Sequence, residues 1–273
     1  MKAKLVRLDK YLADNGFAES RTAAQEYIEQ GRVTVNGSVV VKPASQVMPG
    51  ASVKLDRPEK EWVSRGAYKL LKAVEYFGLK PAGLRCIDIG ASTGGFTDVL
   101  LSKGAASVCA VDVGYGQLAW KLRNDDRVLV MERTNARFLT AETFENELFD
   151  LLVCDVSFIS LKLLLNVFEQ LIKPEGTIVT LVKPQFEVGR EHIGRGVVTD
   201  PALHEAVLKD VSAFAENDTG LKILDMTYSP IRGPEGNIEF LLLLAKKEST
   251  AEQKPFNEAE LVAEAHEHAE KHI

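Results

Sequence analysis

LRCIDIGASTGGFTDVLL, residues 84–101, decides the fold. An apolar run closes on Asp88 and a glycine-rich turn follows through Gly90, Gly94 and Gly95. Helical periodicity begins near Thr97, so the stretch reads as strand, turn, helix. Glycines there let the backbone approach a ligand closely, and a helix N-terminus favours an anionic group. The spacing is not GxGxxG, which makes a dinucleotide clamp the weaker reading. The next strand, VCAVDV (108–113), ends near Asp112, about where an acid meets a ribose diol in a nucleoside-binding βαβ unit. Asp88, the turn and Asp112 thus outline a pocket for a ligand with an amino acid at one end and a nucleoside at the other. S-adenosylmethionine fits that description, with an unrelated nucleotide as the alternative.

Working outward, the pattern predicts helix 66–77, strand 84–89, a helix near 97–103, strand 107–112, a helix near 117–123, strands 127–131 and 149–154, helix 161–172, strand 176–182, helix 201–216 and strands near 221–228 and 237–245. Alternation at this spacing builds an α/β fold of Rossmann-like type: a mostly parallel sheet, covered on both faces, with one antiparallel edge strand from the closing pair. Upstream, 7–15 and 20–30 read as short helices, with Ser20 as N-cap and Gly31 as terminator. RVTVNGSVVV (32–41) is a hairpin around Asn36-Gly37, and Pro49-Gly50 turns into a last strand, SVKL. This is a small α+β unit. The expected divisions are 1–57, a charged linker 58–65, a catalytic domain 66–247 and an acidic tail 248–273, either frayed or docked on a partner. Phe256, Leu261, Val262 and Ala265 make only a weak helical stripe in that tail, and His266, His268 and His272 define no metal geometry.

The 273 residues carry a net charge of −6, but unevenly: Lys2, Lys4, Arg7, Lys10, Arg21, Arg32, Lys42 and Lys54 make the beginning basic, while seven glutamates from Glu248 to Glu270 make the end acidic. No apolar run approaches the roughly 20 residues of a spanning helix, and charge interrupts the first residues before a signal-peptide core forms. Cys86, Cys109 and Cys154 each lie in a strand-like apolar run, which points to buried thiols and a reducing cytoplasm.

LLVCDVSFIS and IVTLVKPQFEVG end the fourth and fifth predicted strands. Ligands of open α/β sheets sit at those carboxyl edges, so Asp155 and Lys183 should face the crevice of Asp88 and Gly90. Desolvation and neighbouring charge make a lysine useful as a base. Lys69 and Glu239, each in apolar company, would be bland residues taken singly.

VSRGAYKL (63–70), IDIGASTGGFTDVLL, VCDVSFIS, VKPQFEVG and GNIEF (236–240) occur in the order seen in FtsJ-like ribose 2'-O-methyltransferases, and their wording resembles the TlyA family. RLDKYL, SRTAAQEYIEQGRVTVNG and VKPASQV are similar to the alpha-L RNA-binding module. The resemblance spans roughly residues 5–246. It implies a catalytic tetrad of Lys69, Asp155, Lys183 and Glu239, with Lys183 as proton acceptor and the acids orienting the lysines. It implies S-adenosylmethionine as methyl donor, held by Asp88, Gly90, Ala91, Ser92, Thr93, Gly94, Gly95, Phe96, Asp112, Val113 and Asp155, with no metal. Ribosomal RNA or ribosomal subunits are the implied partners, with cytidine the implied target and no membrane role. Arg7, Lys10, Arg21, Arg32, Asn36, Lys42 and Arg65 are the candidate RNA contacts. Trp62 and Arg65 sit where RNA docking would be coupled to the cofactor site, and EVGREHIGRGVVTD (187–200) is a candidate lid in which His192 reads as a surface residue. Two rivals stand: a membrane-lytic protein, as the family's haemolysin label suggests, and a non-catalytic assembly factor.

Overall fold

The computed structural model describes residues 5–18, 20–56, 62–189, 193, 196–233 and 235–271. Expectations for Lys2, Lys4, His192 and His272, and for residues 58–61 of the proposed linker, lie outside these residues. The chain divides between Glu61 and Trp62 into two compact units.

The first unit runs β1 (Val6–Arg7), α1 (Leu8–Asp14), α2 (Arg21–Glu29), β2 (Val33–Val35), β3 (Ser38–Val39), β4 (Gln46–Val47) and β5 (Val53–Leu55). Ser20 caps α2 by accepting a hydrogen bond from the Ala23 amide at 3.1 Å. Asn36 and Gly37 both take positive φ, 50° and 84°, so the β2–β3 turn has the twist that a two-residue hairpin requires. Leu8, Leu12, Ala24, Ile28, Val33 and Val47 form its core.

The second unit continues with α3 (Ala67–Tyr76), β6 (Arg85–Ile89), α4 (Gly95–Ser102), β7 (Ser107–Val111), α5 (Trp120–Arg123), β8 (Val128–Met131), β9 (Phe149–Cys154), α6 (Lys162–Leu171), β10 (Ile172–Val182), α7 (Pro184–Glu187), α8 (Pro201–Asp218), β11 (Leu221–Tyr228), β12 (Phe240–Lys246) and α9 (Glu258–Lys271). Its seven-stranded sheet has the order β11-β12-β10-β9-β6-β7-β8. One strand is antiparallel as expected, but it is not at the edge: β12 lies between β10 and the edge strand β11, antiparallel to both. The chain leaves β11 through a turn and comes back on its inner side, so the last strand fills a central slot, where its run FLLLLA is buried on both faces.

The inner position of β12 places the site. Because β12 runs backwards, its first residue, Phe240, pairs with the last residue of β10, Val182. Glu239 and Lys183 therefore meet at one edge of the sheet. The same edge receives the ends of β6 and β9, where Ile89 pairs with Cys154.

The tail also differs from expectation. α9 docks on its own unit, with Leu261, Val262 and Ala265 buried in the core that holds Phe168, Leu208 and Phe240. With Ala269, these make four buried apolar positions on one stripe, and that is enough to dock a helix whose composition is otherwise acidic.

Candidate active site

Four charged side chains converge at the carboxyl edge. Lys69, in the first turn of α3, puts its Nζ 3.0 Å from Asp155 Oδ2 and 2.6 Å from Glu239 Oε2. Lys183 Nζ lies 2.6 Å from Asp155 Oδ1 and donates to Ser157 Oγ at 3.0 Å. The order is Glu239, Lys69, Asp155, Lys183, one continuous chain of ion pairs. The lysines are only 6% and 7% exposed and Glu239 1%, whereas the Asp155 side chain keeps 18%. Burial works against the Lys69 ammonium, but the carboxylates of Asp155 and Glu239 outweigh it and hold its pKa above the ordinary lysine value. Burial likewise opposes the Asp155 carboxylate, and the two ammoniums win, holding it below its ordinary range.

Beside this chain lies a cleft of about 330 Å³, lined among others by Lys69, Asp88, Gly90, Ser92, Phe96, Asp155 and Lys183. Gly90 has φ +82°, and a Cβ there would sit 2.6 Å from the Asp155 carbonyl oxygen, so only glycine fits. Burial pushes the Asp88 carboxyl up to about 7, although the Thr97 amide and hydroxyl both donate to its Oδ2. Asp88 Oδ1 has no hydrogen-bond partner among the described residues.

Of the expected cofactor residues, Asp88, Gly90, Ala91, Ser92, Thr93, Gly95, Phe96 and Asp155 line this cleft. Gly94, Asp112 and Val113 do not. Gly94 takes φ +97° and its missing Cβ makes room for Leu118 and Leu122. Asp112 accepts from the Ser92 amide at 2.7 Å and the Gly114 amide at 2.6 Å, which fixes the turn from outside, and Val113 is exposed.

Sequence reasoning missed Ser157, Ile231, Arg232 and Gly233 in the cleft wall. It also missed a second cleft of about 380 Å³ that shares Ser157 and Lys183 with the first and is lined by Phe158, Gln185, Phe186, Asn237 and Glu239. Phe158 is 91% exposed at φ +65°, its ring 5.2 Å from that of Phe186. An apolar residue in a loop beside a charged motif was the available signal.

Among the RNA candidates, Lys10 and Lys42 are exposed, and so is Arg65, which belongs to the second unit and lines the first cleft. Arg7 and Arg21 both bind the buried Asp9. Arg32 donates to Gln30 at 2.9 Å, and Asn36 Oδ1 accepts from the Ser52 amide at 3.0 Å. Trp62 packs with Val63 against the core of the second unit, and the Val63 amide donates to Asp98 at 3.2 Å. Among the described residues no helix is long and apolar enough to cross a membrane.

Residues 62–246 match the FtsJ-like methyltransferase family and residues 6–53 the S4 domain. The chain is 48% identical to the 16S/23S rRNA (cytidine-2'-O)-methyltransferase TlyA of Mycobacterium tuberculosis, over 89% of this chain and 90% of that protein. It is 43% identical to Hemolysin A of Brachyspira hyodysenteriae, covering 86% and 98%. A solved structure named as a hemolysin from Streptococcus thermophilus superposes with TM-score 0.77 at 44% identity, covering 98% of each chain. A Rossmann-like sheet, a four-residue ionic chain at its carboxyl edge and relatives of this likeness lead to one assignment: the chain belongs to the TlyA family of FtsJ-like methyltransferases and is a methyltransferase enzyme.

Proposed function

We propose that this enzyme methylates the ribose 2'-hydroxyl of a cytidine in ribosomal RNA, with S-adenosylmethionine as donor in the first cleft and the acceptor nucleoside in the second. The observation that carries the reading is that Lys183 lines both clefts, within 2.6 Å of Asp155. A glycine cradle without room for a Cβ and a buried carboxyl oxygen without a partner suit a ligand bearing an amino group and a nucleoside. Asp88, Gly90, Ser92, Thr93 and Phe96 would hold it, with Asp112 supporting the turn. When bound, S-adenosylmethionine supplies a methyl group already activated by its sulfonium.

What remains for the protein is alignment and removal of one proton. Lys69 is clasped by two carboxylates and keeps its charge. Lys183 has one carboxylate and a hydroxyl as partners and lines both clefts, so it is the lysine of the pair placed to take the proton from the ribose hydroxyl. Phe158 offers an exposed ring against which an unstacked base can lie, and Lys10, Arg32, Lys42 and Arg65 supply phosphate contacts that position the RNA without reading its sequence. Such a substrate places the enzyme in the cytoplasm.

The test is transfer of labelled methyl from S-adenosylmethionine to unmodified small and large ribosomal subunits, followed by digestion to nucleosides. The reading expects 2'-O-methylcytidine, lost with Lys183→Ala while donor binding persists. Label on a base, or none on either subunit, would defeat it.

A further inference from the structure

We propose that the C-terminal helix α9 is a brace for the methyl-donor cleft, acting through Arg232 as a positioning residue. The proposal rests on the reading of that cleft given above. Three consecutive cleft-lining residues, Ile231, Arg232 and Gly233, belong to the connection between β11 and β12. That connection is tied to the tetrad. The Ser229 amide donates to the Glu239 carbonyl at 2.8 Å and the Gly233 amide to the Asn237 carbonyl at 2.9 Å. Gly233 lies so close to the Glu239 carboxylate that a Cβ there would fall 2.6 Å from its Oε1. Where this segment sits therefore fixes both the wall of the cleft and the packing of Glu239.

α9 holds the segment from its far side. Arg232 Nη2 donates to the Ala269 carbonyl at 2.7 Å. Ala269 is in the last turn, where helix carbonyls have no partner within the helix and the dipole is negative, so a guanidinium is well placed to cap it. His268 Nε2 lies 3.3 Å from the Pro230 carbonyl, and its ring packs 5.2 Å from that of Tyr228 at the end of β11. The anchorage of α9 is independent of these contacts: Leu261, Val262 and Ala265 are buried, and His266 Nε2 lies 2.9 Å from Nδ1 of the buried His204 on α8. One end of α9 is thus fixed in the core and the other grips the cleft wall.

This anchorage makes a clean test possible. A chain ending at Glu267 keeps Leu261, Val262, Ala265 and the His266–His204 contact, and loses His268 and Ala269. Comparing the full chain, the shortened chain, Arg232→Ala and the combination gives a cycle in which a brace predicts non-additive effects. We expect each single change to weaken S-adenosylmethionine binding by roughly 5–10-fold, as for loss of a hydrogen bond to a charged group, and the combination to be no worse than either. Arg232→Lys in the full chain should recover part of the loss. Losses that multiply would overturn the proposal, because Arg232 would then act on the donor directly. Amide hydrogen exchange of the free protein supplies a readout without cofactor: residues 229–233 should exchange faster in the shortened chain, and unchanged exchange would also overturn it. If the full chain bound no S-adenosylmethionine while exchange responded as expected, the reading of the cleft would fail and the brace would stand.

Discussion

Each unit of this chain holds a carboxylate between two cations, and the two arrangements differ in which partner is kept from water. Asp9 is fully buried and accepts from Arg7, Arg21, Gln25 and the Lys10 amide, while the side chains of Arg7 and Arg21 remain 43% and 53% exposed. Asp155 keeps some exposure at a cleft, and its partners Lys69 and Lys183 are the buried ones. The Arg7 side chain, acting against burial and with Gln25 and Arg21, holds the Asp9 carboxyl far below the ordinary carboxylate range. Arginine does not give up its proton at any ordinary pH, so the first cluster can only hold structure. Lysine can, so the second cluster sets beside a ligand cavity a residue type able to exchange a proton. The difference between the clusters is thus one of cation type and of where the water is.

Lys183 itself aside, the largest expected effect tests the catalytic side. Glu239→Gln leaves Lys69 with one carboxylate instead of two and should lower kcat by roughly 10–100-fold with little change in donor affinity, measured by single-turnover transfer. Unchanged kcat would reduce Glu239 to a packing residue. On the structural side, Asp9→Ala should destabilise the first unit by about 1–3 kcal/mol, a figure already discounted for the exposure of both arginines. Denaturant unfolding would show it. The folded pKa of Asp9 is depressed, so its contribution is full above the unfolded carboxylate value near pH 4 and is lost as pH falls below that. Asp9→Asn should remove this acid sensitivity.

A third buried polar pair sharpens the comparison, because it is held neutral. Burial, helped by His266, pushes His204 down to about 4. The unfolded chain then binds a proton that the folded one refuses, so stability should fall as pH drops from about 6.5 towards 4, by about 3 kcal/mol at most. Thermal unfolding across that window would reveal the slope, and His204→Gln should flatten it. The smallest effect is expected at the surface: Lys10→Ala and Lys42→Ala should each weaken RNA binding a few-fold and reduce its salt slope by about 1. An unchanged slope would remove them from the interface.

How much of this was legible in the sequence follows from the same contrast. The glycine turn after Asp88, the Asn36-Gly37 hairpin and the strand ends carrying Asp155 and Lys183 are local signals, set by backbone conformation and apolar period. The slot of β12 is a pairing choice between distant segments, which no local pattern encodes. Asp9 stands in a short helix beside Arg7 and Lys10 and reads as a solvated charge, since its burial depends on Arg21 and Gln25 arriving from α2. In α9 the acidic composition hides a stripe of four small or aliphatic residues. The β1–β4 pair, only two residues long, is below what periodicity detects. The tetrad was reached by family likeness rather than by the charge pattern, because Lys69 and Glu239 lie 170 positions apart and only the antiparallel return of β12 brings them together.

The central claim is that Lys183 works by losing a proton, which its positive charge alone would not achieve. Lys183→Arg keeps the charge and the proximity to Asp155 but removes the ability to become neutral. Single-turnover methyl transfer to ribosomal subunits, with donor affinity measured in parallel by calorimetry, separates the two. The account predicts a loss of roughly 10²–10⁴-fold in the transfer rate with donor binding nearly intact. Transfer at close to the wild-type rate would contradict it, because the lysine would then be serving only as a fixed positive charge.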